Sequence, residues 1–592
     1  MSYYRLMRLK ILCVSAFVTV GFAQDLTVPV SINPELAEHT NLYTRKVYKI
    51  GSNVYSAVGW GLANIIMIEG DDGIVIVDTG QGLAQARAVL AEFRKITPKP
   101  IRAIVYTHHH ADHVLGASAF ATSDDVKSGK VLIIAHETLE REYADENGLT
   151  ADIMSMRAGS MYNSFLALLR PDDAAQMNSG IGPIFTFQPP GFIPPTKTIK
   201  DRLDTTIAGI RFQFLYVPSE ASSEICAFLP DSKTLLSAEV IQDHTFPNIY
   251  TLRGAKFRDP RLWFESIDKM REWPAETMVP QHGPPVEGKA EVATVLRNYR
   301  DAIQFVHDQS IRYANKGYAK DELIQAVRLP PQLAAVKPWL REFYGSVQHS
   351  APEVYVGYLG WFDGDPMSID PMPRADEARK LVALMGGRDR VLIEARKAYD
   401  SSDRKFAAQL ATYLIRIDAD DMDARRLKAA VFRQLGYATI NSTWRGLYLT
   451  AANVLEKKLD LERIVQARRA QRLSGDELQF PMMAHIQLLA IRLAAEQAAD
   501  VALTMGVRLT DSNESYTLTL RNGILEYRAS APARADVTVA GTSSDIARLL
   551  DGIVAVDETL SKLEVTGKAD DARRFLSYFE RKYQTAPNFF LR

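Results

Sequence analysis

The sequence predicts a mixed α/β sandwich over its first half, then an all-α helical-repeat block, then a small α+β unit at the C-terminus. Three observations lead there. Short apolar runs alternate with helical periods from about Tyr43 to Val286, a 3.6-residue period dominates from Glu291 to about Leu455, and strand alternation returns after about Val465. A chain of 592 residues is also too long for one compact core. The boundaries that follow are residues 1–23 for a leader, then 24–300, 301–460 and 465–592.

In the first unit, Tyr55 to Gly59, Asn64 to Glu69 and Gly73 to Asp78 read as strands, the last of them buried and closed by a turn at Thr79 and Gly80. A helix over Leu83–Ile96 precedes the strand Ile101–Tyr106, which runs straight into Thr107-His108-His109-His110-Ala111-Asp112-His113. Further strands are Val131–Ala135, Ile210–Val217, Ile225–Leu229, Thr234–Ala238 and Thr277–Pro280. Reactive side chains therefore fall at strand ends, on loops. The middle block is expected to hold helices over Val295–Asn315, Arg388–Ser401, Asp403–Ile417 and Asp421–Leu435. An aromatic, glycine-rich stretch from Tyr355 to Pro366 interrupts them and reads as a packed loop. In the last unit two alternating segments meet at Asn522-Gly523, the pair a tight hairpin turn prefers. Val537–Ala540 then leads to a helix capped by Thr542 or Ser543.

Apolar residues at 47% and charged residues at 24% exclude a disordered or collagen-like chain. With 70 basic against 71 acidic residues, nothing provides an electrostatic footprint for nucleic acid or an anionic membrane. Arg5, Arg8 and Lys10 precede a mostly apolar run from Ile11 to Ala23, the pattern of a cleaved secretory signal. That run is too short to span a bilayer, so no stable membrane span is expected, and the mature chain is expected in the periplasm or outside the cell. Its removal leaves Cys226 as the one cysteine, too few for a disulfide.

Four of the eleven histidines crowd between His108 and His113. On an extended segment His108 and His110 point the same way and can grip one divalent ion, while Asp112 and His113 at the following helix start face a second. His109 is the odd member, turned outward or holding the loop. Further ligands from other strand ends are available in Pro218-Ser219-Glu220, Ser237-Ala238-Glu239 and Gln281-His282-Gly283. Asp78, closing the buried strand, is placed to orient a ligand histidine. His244 is a candidate for an outer contact, and His136 reads as part of a strand-to-helix connection.

This order of motifs resembles the metallo-β-lactamase superfamily over roughly residues 45–290, with glutamates standing where the third histidine and the bridging aspartate are usual. The Glu220/Glu239 pair is similar to the type III alkyl sulfatases, which include the bacterial dodecyl-sulfate hydrolases. So are Met161-Tyr162, Asn248 to Asp259, Phe343 to His349 and Tyr358 to Pro366. Gln281 and Gly283 in the last motif, and His109 in the first, depart from that family's usual residues without removing a ligand.

The resemblance implies a metallo-β-lactamase αββα sandwich, a helical dimerisation domain that makes a homodimer, and a C-terminal domain similar to sterol carrier protein. It implies two Zn2+ ions per subunit: one on His108, His110 and Glu220, one on Asp112, His113 and His282, with Glu239 bridging. It also implies hydrolysis of an amphiphilic alkyl sulfate to the alcohol and inorganic sulfate by a metal-activated water. Arg253, His349 and Tyr162 are its catalytic candidates, Arg253 as a planar fork for sulfate oxygens and His349 as proton donor to the leaving oxygen. Trp361 and Phe362 are candidates to line an alkyl channel. The alternatives are another hydrolase of the superfamily, acting on a lactam, thioester or phosphodiester, and a non-catalytic lipid-binding protein.

Overall fold

The computed structural model describes residues 26–169, 177–472, 480–552, 554–581 and 590. The leader reading at 1–23 lies outside them.

Two sheets face each other in the first unit. One has seven strands in the order Lys46–Ile50, Val54–Val58, Ile65–Glu69, Ile74–Val77, Ile101–Val105, Leu132–His136 and Lys197–Ile199. The other has six, in the order Val286–Glu287, Thr277–Pro280, Thr234–Ala238, Ile225–Leu229, Ile210–Tyr216 and Arg202–Ile207. Strand alternation builds four layers. Val75 and Val77 point into the core between the sheets with Phe212, Phe214 and Ala227. Ile74 and Ile76 point the other way, onto Ala86, Val89 and Phe93 of the helix Leu83–Arg94. On the second sheet Cys226 and Phe228 pack outward against Trp263 and Ile267 of Pro260–Met270 and against Val295 and Tyr299 of Lys289–Ala314. The inner strands were legible because both faces are apolar. Lys46–Ile50, Lys197–Ile199 and Arg202–Ile207 were missed because they are sheet edges, whose Lys, Arg and Asp side chains face water.

The helices Arg388–Asp400, Arg404–Ile417, Met422–Ala438 and Ser442–Leu455 stack around Leu392, Leu410, Leu414, Leu427 and Leu455. One expectation fails here. Tyr355 to Leu359 are not loop but the last turns of the helix Val347–Leu359, which Gly360 ends with φ +77°. Trp361 and Phe362 beyond it meet edge to face and are exposed rather than buried in a core. Aromatic and glycine residues hid the helical period.

The C-terminal sheet has the order Ile524–Arg528, Ser515–Arg521, Leu503–Leu509, Val537–Gly541 and Glu564–Gly567. Its hairpin turns at Asn522 and Gly523, both with positive φ, and Thr542 caps the helix Ser543–Asp551 by accepting from the Asp545 N–H at 3.2 Å. Among the described residues no helix is long and apolar enough to cross a membrane.

Candidate metal centre

All seven predicted ligands converge at one edge of the two sheets. His108 to His110 leave the strand Ile101–Val105, and Asp112 and His113 sit on the short helix Ala111–Val114. Glu220 follows Ile210–Tyr216, Glu239 follows Thr234–Ala238, and His282 follows Thr277–Pro280. Glu239 is central: its Oε2 lies 3.2 Å from His108 Nε2, 3.4 Å from His113 Nε2 and His282 Nε2, and 3.9 Å from His110 Nδ1. Glu220 Oε1 is 3.6 Å from His110 Nδ1, and Asp112 Oδ2 is 3.4 Å from His113 Nε2 and 3.8 Å from His282 Nε2. His110 groups with Glu220 and Glu239, and Asp112 with His113 and His282. His108 joins His113 and Glu239.

The outward nitrogens decide which ring atoms are free. His113 Nδ1 donates to Asp78 Oδ2 at 2.7 Å, and His282 Nδ1 donates to the Leu62 carbonyl at 2.9 Å. His108 Nδ1 meets Thr107 Oγ1 at 3.0 Å, and that hydroxyl donates to Asp78 at 2.7 Å. Each ring is thereby oriented with Nε2 facing inward, the atom left to bind a cation. His113 Nε2 and His282 Nε2 are buried without a hydrogen-bond partner, a costly arrangement that a pair of cations would relieve. Burial lowers His108 to about 4, which keeps it a neutral imidazole. The donor set therefore fits divalent metal ions.

Asp78 acts as the sequence predicts, and its φ of +57° is the kind of backbone outlier found at built sites. His109 holds the loop: it is buried, with Nδ1 2.7 Å from Ser223 Oγ. His136 bridges Thr138 and the Lys200 carbonyl at a strand end. His244 pairs with Asp243 at 2.7 Å and stacks on Trp339, without touching a ligand.

Of the catalytic candidates, Arg253 and Tyr162 stand on the wall of a cavity of about 150 Å³ that also touches His110 and Asp112. Arg253 Nη1 is paired with Glu146 Oε1 at 2.5 Å, and the Tyr162 hydroxyl meets that of Tyr344 at 2.8 Å. His349 does not reach that cavity. Its Nδ1 accepts from Trp444 Nε1 at 2.9 Å, its Nε2 faces Asn248 Oδ1 at 3.1 Å, and burial, with Arg258 nearby, lowers its pKa to about 3. A neutral ring with both nitrogens engaged positions Asn248 and has no spare proton to donate.

Four residues escaped the sequence reading. Arg258 grips Glu220 at 2.7 Å and the Asn248 carbonyl at 2.7 Å. Asn248 Nδ2 is buried and unpartnered. Glu224, pushed up to about 8 by burial, accepts from the Glu239 N–H at 2.7 Å and so ties two ligand loops together. Glu146 lies near His109 and His110, but the guanidinium already on it makes that trio a poor cation site. Arg258 and Asn248 lay inside a block quoted for its resemblance; nothing in the sequence singles out Glu224 or Glu146.

Comparison with known proteins places this geometry. Residues 58–282 match the metallo-beta-lactamase superfamily, 319–458 match alkyl sulfatase dimerisation, and 477–589 match the alkyl sulfatase C-terminal family. A linear primary-alkylsulfatase of Pseudomonas sp. (strain ATCC 19151) is 46% identical over 531 residues, covering 88% of this chain and 99% of that protein. The chain belongs to the alkyl sulfatase family. Other alkyl sulfatases are similar over nearly its whole length: an alkyl/aryl-sulfatase BDS1 of Saccharomyces cerevisiae is 32% identical over 96% of this chain and 88% of that protein. The solved structure of PisA1, a stereoselective inverting sec-alkylsulfatase from Pseudomonas sp., superposes with a TM-score of 0.85 at 30% identity, covering 95% of this chain and 89% of that one. The alkyl sulfatase architecture of catalytic, helical and C-terminal parts is thus the architecture seen here.

Proposed function

We propose that the chain is a zinc-dependent hydrolase of alkyl sulfate esters, dodecyl-sulfate-like in chemistry, which releases the alcohol and inorganic sulfate. The observation that carries this is a cavity in which His110 and Asp112 of the ligand cluster share one wall with Arg253 and a set of apolar side chains. Zinc is the ion this reading assigns from the imidazole-rich ligands and the family resemblance; a mixed His/carboxylate set also suits iron or manganese. Two such ions would supply Lewis acidity and a water activated near neutral pH.

The chain's own residues do the rest. Arg253 shares the cavity wall with His110 and Asp112 and is placed to take sulfate oxygens, with Tyr162 on the same wall. Leu62, Leu115, Met154, Ala158, Phe185 and Phe187 shelter the alkyl chain. Each methylene they cover contributes about 0.8 kcal/mol, a factor of about four. Sulfate release from a series of linear alkyl sulfates should therefore climb about fourfold in kcat/KM per added carbon until the wall is filled. A β-lactam and a phosphodiester, run beside them, should turn over far more slowly. Preferred turnover of either, or a flat chain-length series, would contradict the reading.

The same proposal makes the enzyme a homodimer, carried outside the cytoplasm by its leader. Beyond the match to alkyl sulfatase dimerisation, exposed apolar side chains in this part of the chain support pairing: Trp361 is 62% exposed, Ile369 66%, Met367 70% and Leu384 84%. The double substitution Trp361→Glu with Met367→Glu should shift the sedimentation of the protein from two chains to one; unchanged mass would remove these side chains from the interface. The C-terminal sheet and its helices, similar in our reading to sterol carrier protein, would gather amphiphilic substrate.

A further inference from the structure

Resting on the two-ion site just proposed, we infer that Glu146 is a positioning residue that orients the ligand His110 and at the same time holds Arg253 in place.

The argument starts from the ring orientations. His108, His113 and His282 turn Nε2 inward and place Nδ1 on Thr107, Asp78 and the Leu62 carbonyl. His110 is reversed: its Nδ1 lies 2.9 Å from His108 Nε2 and faces Glu220 and Glu239. A ring that ligates through Nδ1 must carry its proton on Nε2, and that proton needs an acceptor. The carboxylate on that side is Glu146, whose Oε2 is 3.7 Å from His110 Nε2. This is longer than a hydrogen bond, and the same oxygen lies 3.8 Å from His109 Nε2, so metal binding would have to draw it onto His110. The other oxygen, Oε1, is taken by Arg253 at 2.5 Å. One carboxylate thus serves a metal ligand and the sulfate fork together.

The place of Glu146 in the chain supports the role. It sits on the π-helical turn Asp145–Leu149, a local irregularity that re-aims a side chain and recurs at functional sites. It stands between two cavities, the one of about 150 Å³ and a second of about 530 Å³, and lines both, as His110 and Arg253 do. The back of the turn is set by the C-terminal part of the chain. Leu488 and Phe480 lie about 4 Å from where a side chain at Gly148 would begin, and Phe480 stacks on Tyr143 with ring centres 5.2 Å apart. The C-terminal unit therefore braces the turn that carries Glu146.

The test is zinc affinity of the full-length, metal-stripped protein, measured by competition with a chromophoric chelator on wild type, Glu146→Gln, Glu146→Ala and the pair Glu146→Ala with Arg253→Ala. The double variant removes the unpaired buried guanidinium, so it keeps the test alive if Glu146→Ala alone fails to fold. Loss of the acceptor should weaken zinc binding by about 10–100-fold in both alanine variants, the usual effect of removing a partner behind a ligand. Glutamine, whose amide oxygen still accepts from His110, should restore most of that affinity while raising KM for alkyl sulfate, because Arg253 loses its counter-charge. Wild-type affinity in the double variant, or glutamine as weak as alanine, would overturn the role of Glu146. Failure of the wild type itself to bind zinc would instead overturn the two-ion site.

Discussion

Glu239→Ala should purify with fewer than two divalent ions per chain and release sulfate from dodecyl sulfate at least about 100-fold more slowly than wild type. Its Oε2 stands within 4 Å of four inward ring nitrogens, and among the described residues no other carboxylate oxygen approaches all of them. Removing a group that only supports a ligand costs about 10–100-fold in metal affinity, so losing the central carboxylate itself sets that range as a lower bound. Glu239→Asp is the instructive comparison, since it keeps the charge and withdraws it by one methylene. It should retain part of the metal and part of the rate. Metal analysis and sulfate release on the three proteins check this together. An alanine variant with two ions and a tenth or more of the activity would show that Glu239 is not the bridge.

Asp78→Asn should do damage out of proportion to a change of one atom. The carboxylate accepts from the Thr107 N–H, the Thr107 hydroxyl and His113 Nδ1, each at 2.7 Å. Asparagine tolerates the left-handed backbone at this position well, so strain is not the cause. Its amide nitrogen, however, is a donor facing donors. Either a buried N–H or O–H loses its acceptor, at about 1–3 kcal/mol for each bond unmade, or His113 moves its proton to Nε2 and presents N–H where a cation should bind. The first outcome lowers the denaturation midpoint of the metal-free protein, and the second weakens zinc by about 10–100-fold. Chemical denaturation with and without zinc separates the two. A variant equal to wild type in both would show that Asp78 does not orient His113.

The ligand cluster was legible because metal chemistry restricts residue types severely. Imidazoles and a carboxylate crowded at the end of a buried strand have few other uses, so His108 to His113 announce themselves, whereas Glu220, Glu239 and His282 are picked out by the resemblance of their positions to the superfamily's ligand order. Asp78 could be read for the same reason, as a lone carboxylate closing an apolar strand. Glu146 and Glu224 could not. Each is a glutamate in a polar stretch, and its meaning comes from what the tertiary fold sets opposite it, His110 and Arg253 for one and the Glu239 backbone for the other. His349 shows the converse: a position similar to a family block suggests chemistry, yet the partners on its two nitrogens give it a positioning contact. In the fold, inner strands followed from apolar runs, whereas edge strands were masked by charged side chains that face solvent and the helix ending at Leu359 by its aromatic and glycine residues.

Titrating zinc into the metal-stripped full-length enzyme while following sulfate release from dodecyl sulfate tests the central claim most directly. Activity should rise from baseline and saturate at two equivalents per chain. Saturation at one equivalent, or full hydrolysis without any metal, would contradict a paired-ion centre built on these seven side chains.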